Sequence, residues 1–146
     1  MIIEINSSEV TAALNLMRNR AENLQPVLHD IGETIRSTID LGFRDGKSPD
    51  GINWAALSPV TIEKKGSTTP LINHGTLRNS ITYSVDNDFV DIGTNDKRAA
   101  MLNFGGTKAQ FPHLWGDIPA RPFMPQSQLP ADWEAQIIEQ IREHFS

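Results

Sequence analysis

The sequence predicts an α+β fold: an antiparallel sheet built on a central β-hairpin, packed by a kinked N-terminal helical region and a C-terminal helix. Two patterns carry this prediction. Apolar residues recur at alternating spacings of three and four through residues 10–39, which is typical of one buried helical face. The period then changes to two within residues 79–92, as expected for a half-buried hairpin.

The N-terminal third contains the predicted helical region. Residues 2–6 are rich in isoleucine and predict a short strand, and Ser7 or Ser8 then offers an N-cap hydroxyl. Pro26 lies inside the helical pattern without shifting its phase. It either kinks one long helix or starts a second helix at its first turn. Gly42 is the predicted end of this region.

The predicted hairpin consists of two alternating runs, 79–85 and 89–92, around the polar turn 86–88. Residues 98–104 predict a short helical or mixed segment that ends at Gly105 and Gly106.

A final helix is predicted to start near Pro130. Its Trp133, Ile137, Ile141 and Phe145 share one face at a spacing of four residues, a pattern that favours core packing over a contact surface.

Residues 1–146 are predicted to form a single domain with long loops at 43–70 and 105–117. The length of 146 residues is close to the common size of one domain. Loops this long inside a domain are usually functional or mobile. Trp54 is expected to anchor the middle of the first loop to the body of the protein.

Composition argues against several classes of function. The net charge is −5, and it is spread evenly along the chain: residues 1–70 carry 7 basic and 9 acidic residues, and residues 71–146 carry 6 and 9. Nucleic-acid binding is disfavoured because phosphate neutralisation needs clustered Lys and Arg. The absence of cysteine excludes disulfides and thiolate metal sites. No secretion signal or membrane span is evident, so we expect a soluble protein that is cytoplasmic where it is made.

No catalytic, metal or cofactor site is predicted. The four histidines share no metal-ligand spacing, and Gly-x-Ser-x-Gly is absent. Residues 105–108 (Gly-Gly-Thr-Lys) lack the residue order of a phosphate-binding loop, and residues 86–88 (Asp-Asn-Asp) lack the rest of a calcium loop. The enzymatic alternative is a small hydrolase whose Asp and His come together only in three dimensions.

Residues 118–125 (Ile-Pro-Ala-Arg-Pro-Phe-Met-Pro) predict a rigid extended segment, because three prolines fix φ and restrict their predecessors. We call these residues the proline segment. It either connects the sheet to the last helix or holds a partner through Arg121. Phe111 and Trp115 lie in a loop bounded by proline and glycine, where aromatic residues serve either as interface contacts or as loop anchors.

Four short motifs follow one another along the chain: Pro-Asp-Gly-x-x-Trp-x-x-Leu-Ser at 49–58, Leu-x-x-x-Gly-x-Leu-x-x-Ser-Ile at 71–81, Ala-x-x-x-x-Phe-Gly-Gly at 99–106, and Ile-Pro-Ala-Arg-Pro-Phe at 118–123. Together they resemble the phage virion morphogenesis (tail completion) family of Mu-like phages and prophages. The chain departs from the family pattern at four positions: His74 replaces a threonine, Arg98 an aromatic residue, Leu102 a histidine and Asn103 a glutamine.

The resemblance implies a non-catalytic structural or assembly protein that acts in tail completion or head–tail joining as a subunit of a ring. An assembly chaperone that is absent from the mature virion is the alternative within this class. The expected partners are further copies of the chain and phage tail or head–tail connector proteins, in the host cytoplasm during assembly and then in the virion. No cofactor, nucleic acid or membrane is expected. The interface candidates are Arg121, Phe123, Trp115, Phe111, Trp54, Gly105 and Gly106.

Overall fold

The computed structural model describes residues 5, 7–20, 23–55, 75–87, 89–112 and 117–145. In chain order its elements are α1 (Ser8–Asn19), α2 (Gln25–Asp45), α3 (Gly75–Asn79), β1 (Thr82–Val85), β2 (Val90–Gly93), α4 (Ala99–Phe104) and α5 (Ala131–His144). The predicted α+β class is confirmed. Apart from Ile5, the strand predicted at 2–6 lies outside the described residues. Among the described helices, none combines the length and the apolar character that crossing a membrane requires.

The N-terminal helical region consists of two helices. Ser7 caps α1, because its Oγ accepts a hydrogen bond from the Val10 N–H at 3.2 Å. Pro26 occupies the first turn of α2, where its missing N–H removes no intrahelical bond. The alternative in which Pro26 lies in the first turn of a second helix is therefore confirmed.

The end of α2 was predicted wrongly. The helix continues through Gly42 to Asp45, and the chain leaves it at Gly46, whose φ of 67° is a conformation that favours glycine. Residues 43–45, predicted as the start of a loop, are therefore helical.

The predicted hairpin is confirmed, but its first strand begins at Thr82, because Asn79, predicted as the start of that run, ends α3. β1 and β2 pair antiparallel, with Tyr83 opposite Ile92 and Val85 opposite Val90. The Tyr83 ring lies against Gly32 of α2, so closely that a Cβ at Gly32 would overlap it. Glycine at this position therefore lets the hairpin approach the helix.

By the density of their contacts, the residues divide into two compact units. The first, here called the hairpin unit, comprises residues 2–38, 82–93 and 125–146. Its buried residues are Leu14, Met17, Leu24, Val27, Leu28, Ile31, Ile137 and Ile141, and Val85 and Val90 of the hairpin pack against them. The hairpin is thus packed by both helical regions, as predicted. Trp133 is also buried, which confirms that the aromatic face of α5 belongs to the interior.

The second, here called the loop unit, comprises Met1 and residues 39–81 and 94–124. It contains the last turns of α2, both short helices α3 and α4, and most of the proline segment. Its buried side chains include Phe43, Trp54, Leu77, Ile81, Ala99, Asn103, Phe123 and Met124. The assignment of residues 1–146 to a single domain stays a prediction.

Candidate interaction surface

The end of α4 holds the proline segment in place. The Asn103 side chain is fully buried, and its Oδ1 accepts hydrogen bonds from the backbone N–H groups of Phe123 (3.0 Å) and Met124 (3.2 Å). The Arg121 N–H donates to the Leu102 carbonyl at 2.9 Å. Because proline has no backbone N–H, the proline segment has few hydrogen-bond donors. Three of its remaining N–H groups donate to acceptors in α4.

Arg121 points into the loop unit. Arg121 is 8% exposed, and its Nε donates to the Ala55 carbonyl at 3.1 Å. Burial lowers the pKa of Arg121 from its ordinary value, because desolvation penalises the charged form. Guanidinium groups nevertheless stay protonated in proteins. In the isolated chain Arg121 is therefore a buried cation that ties the proline segment to the loop around Ala55.

Three aromatic rings form the core beneath the proline segment. Phe43 lies 5.6 Å from Trp54 in an edge-on arrangement and 5.2 Å from Phe123, measured between ring centroids. The Trp54 Nε1–H donates to the Pro122 carbonyl at 2.7 Å. Each of these rings is at most 7% exposed. The expectation that Trp54 anchors the first loop is confirmed.

Gly105 is required by its backbone conformation and by its surroundings. It ends α4 with a φ of 70°, and a Cβ there would lie 2.6 Å from the Ala120 nitrogen and 2.8 Å from the Ile118 oxygen. Such distances are too short for any side chain, so the returning chain can pass this point only beside a glycine.

Gly106 pairs with the start of the proline segment and supports Phe111. Its backbone exchanges two hydrogen bonds with Ile118, at 2.9 and 2.7 Å. A Cβ at Gly106 would lie 3.0 Å from the Phe111 ring and 2.6 Å from the Met101 sulfur. The predicted glycine pair therefore shapes the end of α4, including the position of Phe111.

Exposed aromatic surface lies on both sides of this glycine pair. Phe104, the last residue of α4, is 51% exposed, and Phe111 is 38% exposed. We call Phe104 and Phe111 the aromatic pair. Sequence reasoning selected Phe111 and missed Phe104. The register of α4 offered a signal, because buried Ala99 and Asn103 lie four residues apart and leave Phe104 on another face.

The predicted interface candidates therefore differ in accessibility. Arg121, Phe123 and Trp54 lie inside the loop unit, Gly105 and Gly106 form the reversal, and Phe111 is at the surface. Trp115 lies outside the described residues, as does most of the 43–70 loop. That these residues contact a partner stays a prediction.

The hairpin unit contains an open groove of about 430 Å³, lined by Asp30, Glu33, Thr34, Gln140, Glu143 and His144. His144 Nδ1 lies 3.8 Å from Asp30 Oδ2, which is longer than a hydrogen bond. The Thr34 hydroxyl accepts from Gln140 Nε2 at 2.7 Å. In this groove the His144 and Asp30 side chains are not hydrogen-bonded to each other. Nor do the described residues contain a cluster of three or more His, Cys, Asp or Glu suited to a metal ion.

The glycine reversal after α4 and the fixed Arg-Pro-Phe segment are features that the sequence motifs contain. The chain matches the phage virion morphogenesis family over residues 5–146, and it belongs to that family. It is 33% identical over 144 residues to Mu-like prophage FluMu G protein 2 from Haemophilus influenzae (strain ATCC 51907 / DSM 11121 / KW20 / Rd). That alignment covers 98% of this chain and 94% of the relative. No solved structure gives a significant match.

The resemblance drawn from the four motifs is therefore confirmed. Membership of this family indicates a role in phage assembly.

Proposed function

We propose that the protein is a non-catalytic subunit of a ring that completes the phage tail or joins it to the head. A ring requires a heterologous interface, in which one surface of each subunit meets a different surface of its neighbour. The family supports the role in assembly. The aromatic pair is the observation that carries the proposal of a contact surface.

The aromatic pair suits a contact with the neighbouring subunit. Large aromatic side chains supply much of the binding energy of protein interfaces, and both members are substantially exposed in the isolated chain. Phe104 ends a helix whose last turn is held by the hydrogen bonds of Asn103, and Phe111 lies close to Gly106. A surface that is already ordered loses less entropy when it binds.

Within this proposal the remaining interface candidates act indirectly. Arg121, Phe123 and Trp54 maintain the shape of the loop unit, and Phe111 makes the contact. Trp115 stays an interface candidate on its sequence alone.

The test replaces the aromatic pair with serine in Phe104→Ser/Phe111→Ser. We expect the free energy of unfolding of the monomer to fall by about 1–2 kcal/mol, because both rings are only partly buried. Ring formation, measured by light scattering and negative-stain microscopy, should be lost. Production of infectious particles from a prophage that lacks its own copy of the gene should also fail.

Phe89→Ser is the matched control, since Phe89 is 49% exposed but lies in the turn between β1 and β2, outside both the aromatic pair and the residues that line the groove. It should leave ring formation and particle production intact. Arg121→Ala should act differently from both and lower the free energy of unfolding by about 1–3 kcal/mol, because a buried charged contact is lost. Rings that form normally without the aromatic pair would contradict the proposed contact.

A further inference from the structure

The two units carry opposite net charges. The loop unit has nine Lys and Arg against six Asp and Glu, a net charge of +3. The hairpin unit has four against twelve, a net charge of −8. The contrast persists among the described residues alone. There the loop unit has seven basic and five acidic residues, and the hairpin unit has four basic and nine acidic residues. The even spread along the sequence arises because segments of the two units alternate along the chain.

Two lysines of the loop unit lie close to the aromatic pair in sequence. Lys97 precedes α4, and Lys108 lies between Phe104 and Phe111; both lysines are exposed. Within the described part of the chain neither ammonium group has an ion-pair partner, whereas Arg98 is paired with Asp96 at 2.9 Å. Asp117 binds the backbone N–H of Lys108. The lysines are therefore available to a partner.

Negative charge in the hairpin unit extends along the helices around the groove. Asp30 and Glu33 of α2 have side chains that are 66% and 50% exposed, and Glu143 of α5 lines the same groove. Arg36 pairs with Glu33 at 2.7 Å on the surface, where such pairs contribute little. The groove therefore presents a net negative, solvent-accessible surface.

We propose that the hairpin unit of one copy receives the loop unit of the next, with Lys97, Lys108 and the aromatic pair of the loop unit facing the acidic groove. This inference rests on the ring proposed above and identifies its second surface. The charges also select the geometry. Pairing two hairpin units would bring together two units that each have a net charge of −8, so a symmetric dimer through this face is disfavoured. Pairing unlike units is attractive, and it produces the head-to-tail contact that a ring needs.

Charge reversal in the full-length chain tests this pairing. Lys97→Glu/Lys108→Glu and Asp30→Lys/Glu33→Lys should each weaken self-association at 0.1 M NaCl by at least about tenfold, measured by sedimentation velocity. An equimolar mixture of the two variants should associate in part, because the reversed loop unit of one faces the reversed hairpin unit of the other. Association of the unsubstituted chain should weaken between about 0.05 and 0.5 M NaCl as exposed charges are screened.

Asp50→Lys and Arg142→Glu are the matched controls. Both residues are exposed, and each change increases the existing charge of its own unit. They should leave association unchanged or strengthen it. Circular dichroism of every variant should show the unsubstituted fold.

The outcomes separate this inference from the proposed function. Self-association that is unaffected by salt and by all four charge reversals, while particles still assemble through rings, would overturn the charge pairing. That result would leave the proposed ring in place. The charge pairing would also be overturned if the hairpin-unit reversals blocked only incorporation into particles, since the acidic groove would then serve a different protein. A chain that never self-associates and is dispensable for particle assembly would overturn both proposals.

Discussion

At the scale of single residues, Asn103 determines how the proline segment is fixed. It is the fully buried polar side chain whose Oδ1 accepts from two successive backbone N–H groups, those of Phe123 and Met124. Its Nδ2 is buried and has no hydrogen-bond partner within the described structure. The Asn103 side chain therefore stabilises the fold through its oxygen, because the buried amide nitrogen adds only a desolvation cost.

Asn103→Ala should lower the free energy of unfolding by about 2–4 kcal/mol, since it leaves two buried N–H donors without an acceptor. Urea unfolding followed by circular dichroism measures this loss. Asn15→Ala removes an exposed amide from α1 and should change the same quantity by less than about 0.5 kcal/mol. An Asn103→Ala protein as stable as the Asn15→Ala control would show that the two bonds contribute little.

At the scale of secondary-structure elements, the local patterns predicted helices and the hairpin well, because periodicity depends on neighbours along the chain. The same patterns were less successful for features that depend on tertiary contacts, such as the end of a helix or the burial of a segment. Gly42 and Gly46 are equally plausible helix ends in sequence, and only the positive φ of Gly46 distinguishes them. The prolines of residues 118–125 predicted a rigid segment, but they do not indicate which side of that segment is buried in the protein. The burial of Arg121 and Phe123 was therefore not foreseen.

The packing of the hairpin on α2 leads to a prediction about Gly32. Gly32→Ala should lower the free energy of unfolding by about 1–2 kcal/mol, because the overlap with the Tyr83 ring exceeds the gain in helix propensity. Ser37→Ala, an exposed change in the same helix, should be neutral or slightly stabilising.

A double-mutant cycle with Tyr83→Ala tests the assigned cause. The loss from Gly32→Ala should largely disappear once the ring is removed. Losses that simply add would mean that the tyrosine is not what opposes a side chain at position 32.

At the scale of the whole molecule, the partition of charge is invisible in the sequence. Each half of the chain has nearly the same net charge, and the difference between the units emerges only when residues are grouped by their contacts.

The division into two units also raises the question of whether they unfold cooperatively. α2 contributes residues up to Thr38 to the hairpin unit and residues from Ile39 onward to the loop unit. We expect the two units to unfold together, because unfolding either one disrupts a helix that both share.

Tryptophan fluorescence tests this cooperativity, since Trp54 lies in the loop unit and Trp133 in the hairpin unit. Trp133→Phe/Trp115→Phe retains Trp54 as the reporter, and Trp54→Phe/Trp115→Phe retains Trp133. Within each variant, the urea midpoint from fluorescence should coincide with the midpoint from circular dichroism. A loop-unit reporter that changes at lower urea than the helical signal would replace the single-domain prediction with two independently unfolding units.

The alternation of the two units along the chain also restricts how such a gene can recombine. The hairpin unit takes segments from both ends and from the middle of the sequence. Any single crossover with a relative therefore combines hairpin-unit segments of two parents, whose packed side chains have not been matched to each other. A productive exchange between prophages is consequently expected to transfer this coding region whole, with its junctions outside the gene.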